Sequence, residues 1–201
     1  MFFSRRDTLK ALGALPVVAL SSRSVGAASS LLRTGAPTSI AIPTAGILAP
    51  IEPVWLALPA GPETGADQLV AATTGTPIGL PSTPDSVGWY ALGALPGEAG
   101  SALLVGHVDT VAGPAVFTRL PEVFPGTTVH LTTAQGESTF VVENVRRHPA
   151  HLPAPAELFA LDGEARLYLI TCTGRFIRSA GGYQERLIVS ASFLPSELAT
   201  P

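Results

Sequence analysis

The sequence predicts an all-β domain carrying one or two short helices. Twenty glycines and 19 prolines among 201 residues interrupt helix interiors and supply turns. Seven apolar runs, 39–42, 48–58, 102–105, 127–132, 139–145, 166–171 and 187–193, are short, rich in β-branched residues and separated by Gly or Pro. Only 115–120 and 155–161 offer helical stretches, each of one or two turns. Short strands between frequent turns build a barrel or a sandwich.

In chain order, residues 1–30 read as an export signal. Arg5, Arg6 and Lys10 give a basic start, 11–20 is apolar, and Val25-Gly26-Ala27 offers small residues for cleavage. The run Ser4-Arg5-Arg6-Asp7-Thr8-Leu9-Lys10 resembles the twin-arginine export motif, with Thr8 where phenylalanine is usual. The apolar part is shorter than the roughly 20 residues that span a bilayer, which favours cleavage over retention as a membrane anchor. An exported chain, extracellular or held at the cell envelope, is the expectation. Residues 31–37 are a linker, and the folded domain is expected over 38–196. Within it, 59–79 is rich in Gly, Thr and Pro and reads as an exposed loop. The stretch 131–145 reads as a hairpin turning at Ala134-Gln135-Gly136-Glu137. No internal repeat is visible.

Charged residues make up only 13% of the chain and its formal net charge is −3, so the basic footprint of a nucleic-acid binder is missing. Loss of the leader removes Arg5, Arg6, Lys10 and Arg23, leaving a more acidic mature chain that anionic lipid surfaces repel. Glu122, Glu137 and Glu143 are too scattered for a calcium site. Beyond the leader's Phe2-Phe3, Trp89-Tyr90 is the only adjacent aromatic pair, which suits a core or a barrel lid better than a sugar platform.

Export gives the single cysteine its significance, because exported chains usually pair their thiols and Cys172 has no partner in the sequence. It is either a small buried hydrophobe or a nucleophile. Cys172 follows the strand Arg166-Leu167-Tyr168-Leu169-Ile170-Thr171 and precedes Thr173-Gly174, where a strand opens into a loop. A thiol nucleophile needs a nearby cation and an acid for the leaving group. His107 is the best-placed imidazole, since Gly106 ends the strand 102–105 and Val108-Asp109-Thr110 begins a loop. His130 falls in an alternating strand. His148 and His151 flank Pro149, which denies them helical i, i+3 geometry, and no third ligand is near for a metal. The histidine precedes the cysteine, opposite to the papain-like order, and the Ser-His-Gly-Cys signature of L,D-transpeptidases is absent.

Three segments together resemble the sortases: Leu104-Val105-Gly106-His107-Val108-Asp109-Thr110, Leu169-Ile170-Thr171-Cys172-Thr173-Gly174 and Tyr183-Gln184-Glu185-Arg186-Leu187-Ile188-Val189. Pro84-Asp85-Ser86-Val87-Gly88-Trp89-Tyr90 and Pro96-Gly97-Glu98-Ala99-Gly100-Ser101 look like the class F branch. Glu185-Arg186 departs from the Asp-Asn that many class F members carry, leaving class E open. The resemblance covers about 39–193.

It implies a closed eight-stranded β-barrel and a cysteine transpeptidase that cleaves LPxTG-type sorting signals between Thr and Gly. By position, Cys172 is the nucleophile, His107 the general acid and base, and Arg186 the oxyanion donor. Arg186 is favoured by the aromatic residue three before it and the apolar strand after it, with Arg175 and Arg178 as rivals. Thr171, Asp109 and Gly106 are expected at the substrate. Neither a metal nor an organic cofactor is implied. The partners are a sorting-signal peptide and an amine acceptor from the cell wall or another protein, and a monomer is expected. A thiol hydrolase that releases the same thioester to water, and a binding barrel with an inert Cys172, are the alternatives. Gly61-Pro62-Glu63-Thr64-Gly65 and Leu80-Pro81-Ser82-Thr83-Pro84 each come within one residue of the signal itself. Composition accounts for both, and a loop around Thr64 acting as a lid over the groove is the alternative.

Overall fold

The β architecture is a closed barrel. The computed structural model describes residues 35–56 and 78–195. The export signal at 1–30, most of the 31–37 linker, nearly all of the 59–79 loop and the Gly61–Gly65 fragment lie outside the described residues. Around the barrel the order is β1 (Pro37–Ile42), β2 (Ile47–Val54), β3 (Val87–Tyr90), β4 (Gly100–Val105), β9 (Ala165–Ile177), β10 (Gly182–Leu194), β8 (Gly136–Pro149) and β7 (Thr128–Thr133), which returns to β1. Two further short strands, β5 (Asp109–Thr110) and β6 (Gly113–Pro114), pair only with each other. β2 with β3 and β4 with β9 are parallel, and the remaining ladders are antiparallel. Closure leaves no barrel strand with an unpaired edge.

Six of the apolar runs fall on barrel strands to within a residue, while the run 48–58 follows β2 only as far as Val54 and its last two residues lie outside the described residues. Thr133 pairs with Gly136, so the expected hairpin turns on Ala134 and Gln135. The eighth strand, β3, has no period-2 pattern to betray it, because all four of its residues are buried. The helix expectations shrink. Residues 116–119 are turns leading into a 3-10 segment, Leu120–Glu122, and 155–161 yields only the 3-10 segment Ala156–Phe159. Pro121 and Pro155 suit entry into a turn of helix, and neither stretch is long enough to repay nucleation. Among the described residues no helix is long and apolar enough to cross a membrane.

Two apolar layers sandwich β4 and β9. Ala102, Leu104, Leu167 and Leu169 face the barrel interior with Ile40, Trp89 and Phe140. Leu103, Val105, Tyr168 and Ile170 face a second cluster outside, covered by Tyr90 and Leu158. That double burial is why 102–105 and 167–170 read as unbroken apolar runs, whereas β7, with one solvated face, alternates. The Trp89-Tyr90 pair is core on both counts, with Tyr90 meeting Phe159 edge-on at 5.9 Å. These two rigid strands carry His107 and Cys172 at or just beyond the same end of the barrel, since Val105 pairs with Ile170.

Candidate active site

Cys172 does not mark the end of its strand. β9 runs on to Ile177 because β10 continues to supply partners, with Leu187 opposite Thr171 and Arg186 opposite Cys172. The expected loop after Thr171 is therefore the far half of a long hairpin. Its ladder shifts between Tyr183 and Glu185: Glu185 faces Thr173 and Tyr183 faces Phe176, so Gly174 and Arg175 together oppose Gln184. Gly174 takes φ +80°, a backbone conformation that favours glycine, and a Cβ there would also lie 2.5 Å from Glu185 Oε2 and displace that side chain. The bulge lets the aromatic rings of Phe176 and Tyr183 meet edge-on at 5.2 Å beyond the half-buried Cys172.

His107 sits two residues past β4 and its backbone is pinned on both sides. The Gly106 amide donates to Ile170 O at 3.1 Å, and the Phe117 amide donates to His107 O at 2.9 Å. A Cβ on Gly106 would lie 2.6 Å from the Phe117 ring, so only glycine lets the chain pass. The Thr171 hydroxyl donates to Gly106 O at 2.8 Å, and the residue is 2% exposed. Its hydroxyl thereby ties the cysteine strand to the histidine loop, and the residue also lines a small inner niche beside Cys172. Thr171→Val keeps the shape and orphans the Gly106 carbonyl, which costs about 1–3 kcal/mol. A urea melt should show that loss, together with a fall in turnover at unchanged KM.

Arg186 is the fifth residue of β10, and only 4% exposed. Its Nη1 donates to the carbonyls of Tyr183 and Glu185, each at 3.2 Å. With Cys172, Thr171, Gly106 and Leu80 it borders a niche of about 20 Å³. Cys172 also faces a second, open cavity of about 500 Å³ shared with His107, Asp109 and Arg178. Val108, Val111, Phe176 and Tyr183 give that cavity apolar walls. Thus Cys172 stands between an inner niche that holds Arg186 and an outer cavity that holds His107. Arg175 is exposed on the hairpin and borders neither.

Asp109 lines the cavity, and its Oδ2 accepts the Tyr183 hydroxyl at 2.6 Å, linking the β5 hairpin to β10. Arg178, a rival to Arg186 on sequence, lines this cavity, as do Tyr183, which marks the register of Arg186, and Phe176, which the sequence does not single out. A recoverable signal was the i, i+4 spacing from Cys172 to Phe176 across a glycine. His130 meets Glu137 at 3.0 Å, and His148 Nε2 lies 3.0 Å from Pro153 O. Glu122, Glu137 and Glu143 are engaged separately by Arg119, His130 and Arg166. Among the described residues no group of three or more His, Cys, Asp or Glu side chains is placed to hold a metal ion.

Leu80, the first residue of the signal-like run, forms a wall of the inner niche, and its loop is anchored on β2. Glu52 accepts the Ser86 hydroxyl at 2.7 Å, and it also accepts the amide and hydroxyl of Ser82. These bonds, the Ser86 hydroxyl first, hold the Glu52 carboxyl below the ordinary value of 4.5, against the opposing pull of burial. A carboxyl lowered on folding stabilises the fold above its unfolded pKa, and that contribution fades as pH falls through the folded value. Glu52→Gln should therefore lower the urea midpoint at neutral pH, and the gap to the parent should close in acid.

The sortase-domain family model matches residues 61–194, two thirds of the chain. No curated protein matches it. Among solved structures, the Streptococcus agalactiae sortase C1 complex with MTSET is 21% identical, with a TM-score of 0.57, covering 85% of this chain and 76% of that one. A lid mutant of Corynebacterium diphtheriae sortase A is 21% identical at TM-score 0.53, covering 78% and 68%. Sortase C from Clostridium perfringens SM101 is 20% identical at TM-score 0.53, covering 81% and 72%. Likeness to both A and C members at the same level is likeness of fold and does not separate the classes. On the family model over two thirds of its length, the chain belongs to the sortase family.

Proposed function

We propose that this sortase is exported and transfers proteins bearing an LPxTG-type sorting signal onto an amine acceptor. The observation that carries the reading is the position of Cys172: half-buried, lining an open cavity with His107, and opposite Arg186 in the adjoining strand. An inert structural thiol has no need of such surroundings.

The Cys172 thiolate attacks the threonine carbonyl carbon of the Thr-Gly bond. The carbonyl oxygen gains charge, and the guanidinium of Arg186, fixed by two backbone carbonyls, donates to it. The C–N bond then breaks, the protonated imidazole of His107 gives its proton to the departing glycine amine, and a thioester remains on Cys172. In the second half an amine attacks the thioester carbonyl and His107, now neutral, takes its proton. The C–S bond breaks, restoring the thiolate with a new amide formed. If water attacks instead, the protein is released. This chemistry calls for no metal or organic cofactor. The twin-arginine-like leader supports a reaction outside the cytoplasm, at the cell envelope.

Product analysis of an LPxTG-type peptide, with and without a glycine-based amine, tests the reading. Amine-dependent ligation with a bell-shaped dependence of kcat/KM on pH is expected from a coupled Cys-His pair. Hydrolysis whatever the amine supplied would replace transfer by release, and an intact peptide would remove the reading.

A further inference from the structure

We propose that Arg178 selects ligands carrying a carboxylate close to the reacting bond, so that the two arginines near Cys172 hold different roles. This rests on the sorting reading above. Arg186 is buried beside the inner niche, and the proposed mechanism gives it the scissile carbonyl. Arg178 begins the 3-10 turn Arg178–Ala180 that joins β9 to β10, and it lines the outer cavity with Cys172 and His107.

Charge pattern and position together mark Arg178 out, since Arg175, which likewise has no carboxylate partner among the described residues, does not line the cavity. Arg119, Arg146, Arg147 and Arg166 each meet a carboxylate. Arg178 is exposed and makes no ion pair among the described residues. Asp109 is the carboxylate of the same cavity, and its Oδ2 accepts the Tyr183 hydroxyl at 2.6 Å. The cavity thus presents an uncommitted guanidinium beside the nucleophile, next to the apolar surfaces of Val111 and Phe176. Apolar walls strengthen a charge's reach, and the guanidinium fork matches a carboxylate through two parallel N–H···O bonds. An acidic residue in the sorting peptide and a free carboxylate on the amine acceptor supply the same group.

Two readouts on the full chain test this. The first uses charged methanethiosulfonates, because the chain has one cysteine and the mixed disulfide can form nowhere else. Thiolate attack releases methanesulfinate and needs neither peptide nor amine. The rate ratio of the anionic sulfonatoethyl reagent to the cationic trimethylammonioethyl reagent should fall about fivefold in Arg178→Gln, and further in Arg178→Glu. The second compares Leu-Pro-Glu-Thr-Gly with Leu-Pro-Gln-Thr-Gly peptides, and diglycine with diglycinamide as acceptors. The parent should prefer the acid form in one pair by about three- to tenfold in kcat/KM, and Arg178→Gln should lose that preference. The pair that responds identifies the source of the carboxylate.

An unchanged reagent ratio, no acid preference in either pair, or a preference that survives Arg178→Gln overturns the proposal. A shifted ratio with no turnover of any peptide sinks the sorting function instead, and leaves Arg178 as the anion-attracting group of the cavity.

Discussion

Replacing Cys172 by alanine is expected to lower peptide cleavage by about 10⁴-fold or more while leaving the barrel folded. The size follows from the reaction: without sulfur there is no bond to hold the acyl group, and His107 and Arg186 have no attack to assist. Catalytic sets act as units, so His107→Ala in the same background should add little. The fold should tolerate the change because Cys172 is only half-buried and lies on a strand paired on both sides of its position. A thermal melt within a few degrees of the parent, beside the loss of cleavage, would separate a chemical role from a structural one. Wild-type rates in Cys172→Ala would place the nucleophile elsewhere.

Arg186→Lys should cost about 10²–10³-fold in kcat with a much smaller change in KM, the range for loss of an oxyanion donor. Lysine keeps the charge but replaces a planar fork with a single ammonium, which cannot hold both backbone carbonyls and the substrate oxygen in fixed directions. Arg186 donates to Tyr183 O and Glu185 O from a site 4% exposed. Arg186→Gln should therefore also destabilise the hairpin, by about 1–3 kcal/mol. The discriminating comparison is kcat in the lysine and glutamine variants at temperatures where both are folded. Equal losses in kcat and in stability would reduce Arg186 to a strut, whereas a kcat loss far beyond the stability loss supports the oxyanion role.

The legible parts of this molecule are those in which local pattern and final environment agree. Strands with one wet face, such as β7, announce themselves by alternation, and the continuous runs in β4 and β9 announce burial on both sides. β3 was hidden because it is only four residues long and wholly buried. Gly-His, Thr-Cys and the arginine before an apolar strand stand out because each abuts a strong strand signal. What surrounds them depends on pairing. Thr173-Gly174 reads as the start of a loop, and it becomes a bulge only when β10 is present to pair with both flanks. The bond from the Thr171 hydroxyl to a carbonyl 65 residues earlier is invisible in the sequence, because only the fold brings the two together. Arg178 and Phe176 enter the cavity only once the hairpin continues past the cysteine.

The mechanism stands on a covalent acyl enzyme on Cys172. Intact-mass measurement of the full chain, quenched in acid during turnover of an LPxTG-type peptide, should show a species heavier by the acyl fragment through threonine. That adduct should map to Cys172, disappear on addition of a glycine-based amine, and be absent from Cys172→Ala. Peptide cleavage with no adduct at any quench time, persisting in Cys172→Ala, would rule out a Cys172 thioester.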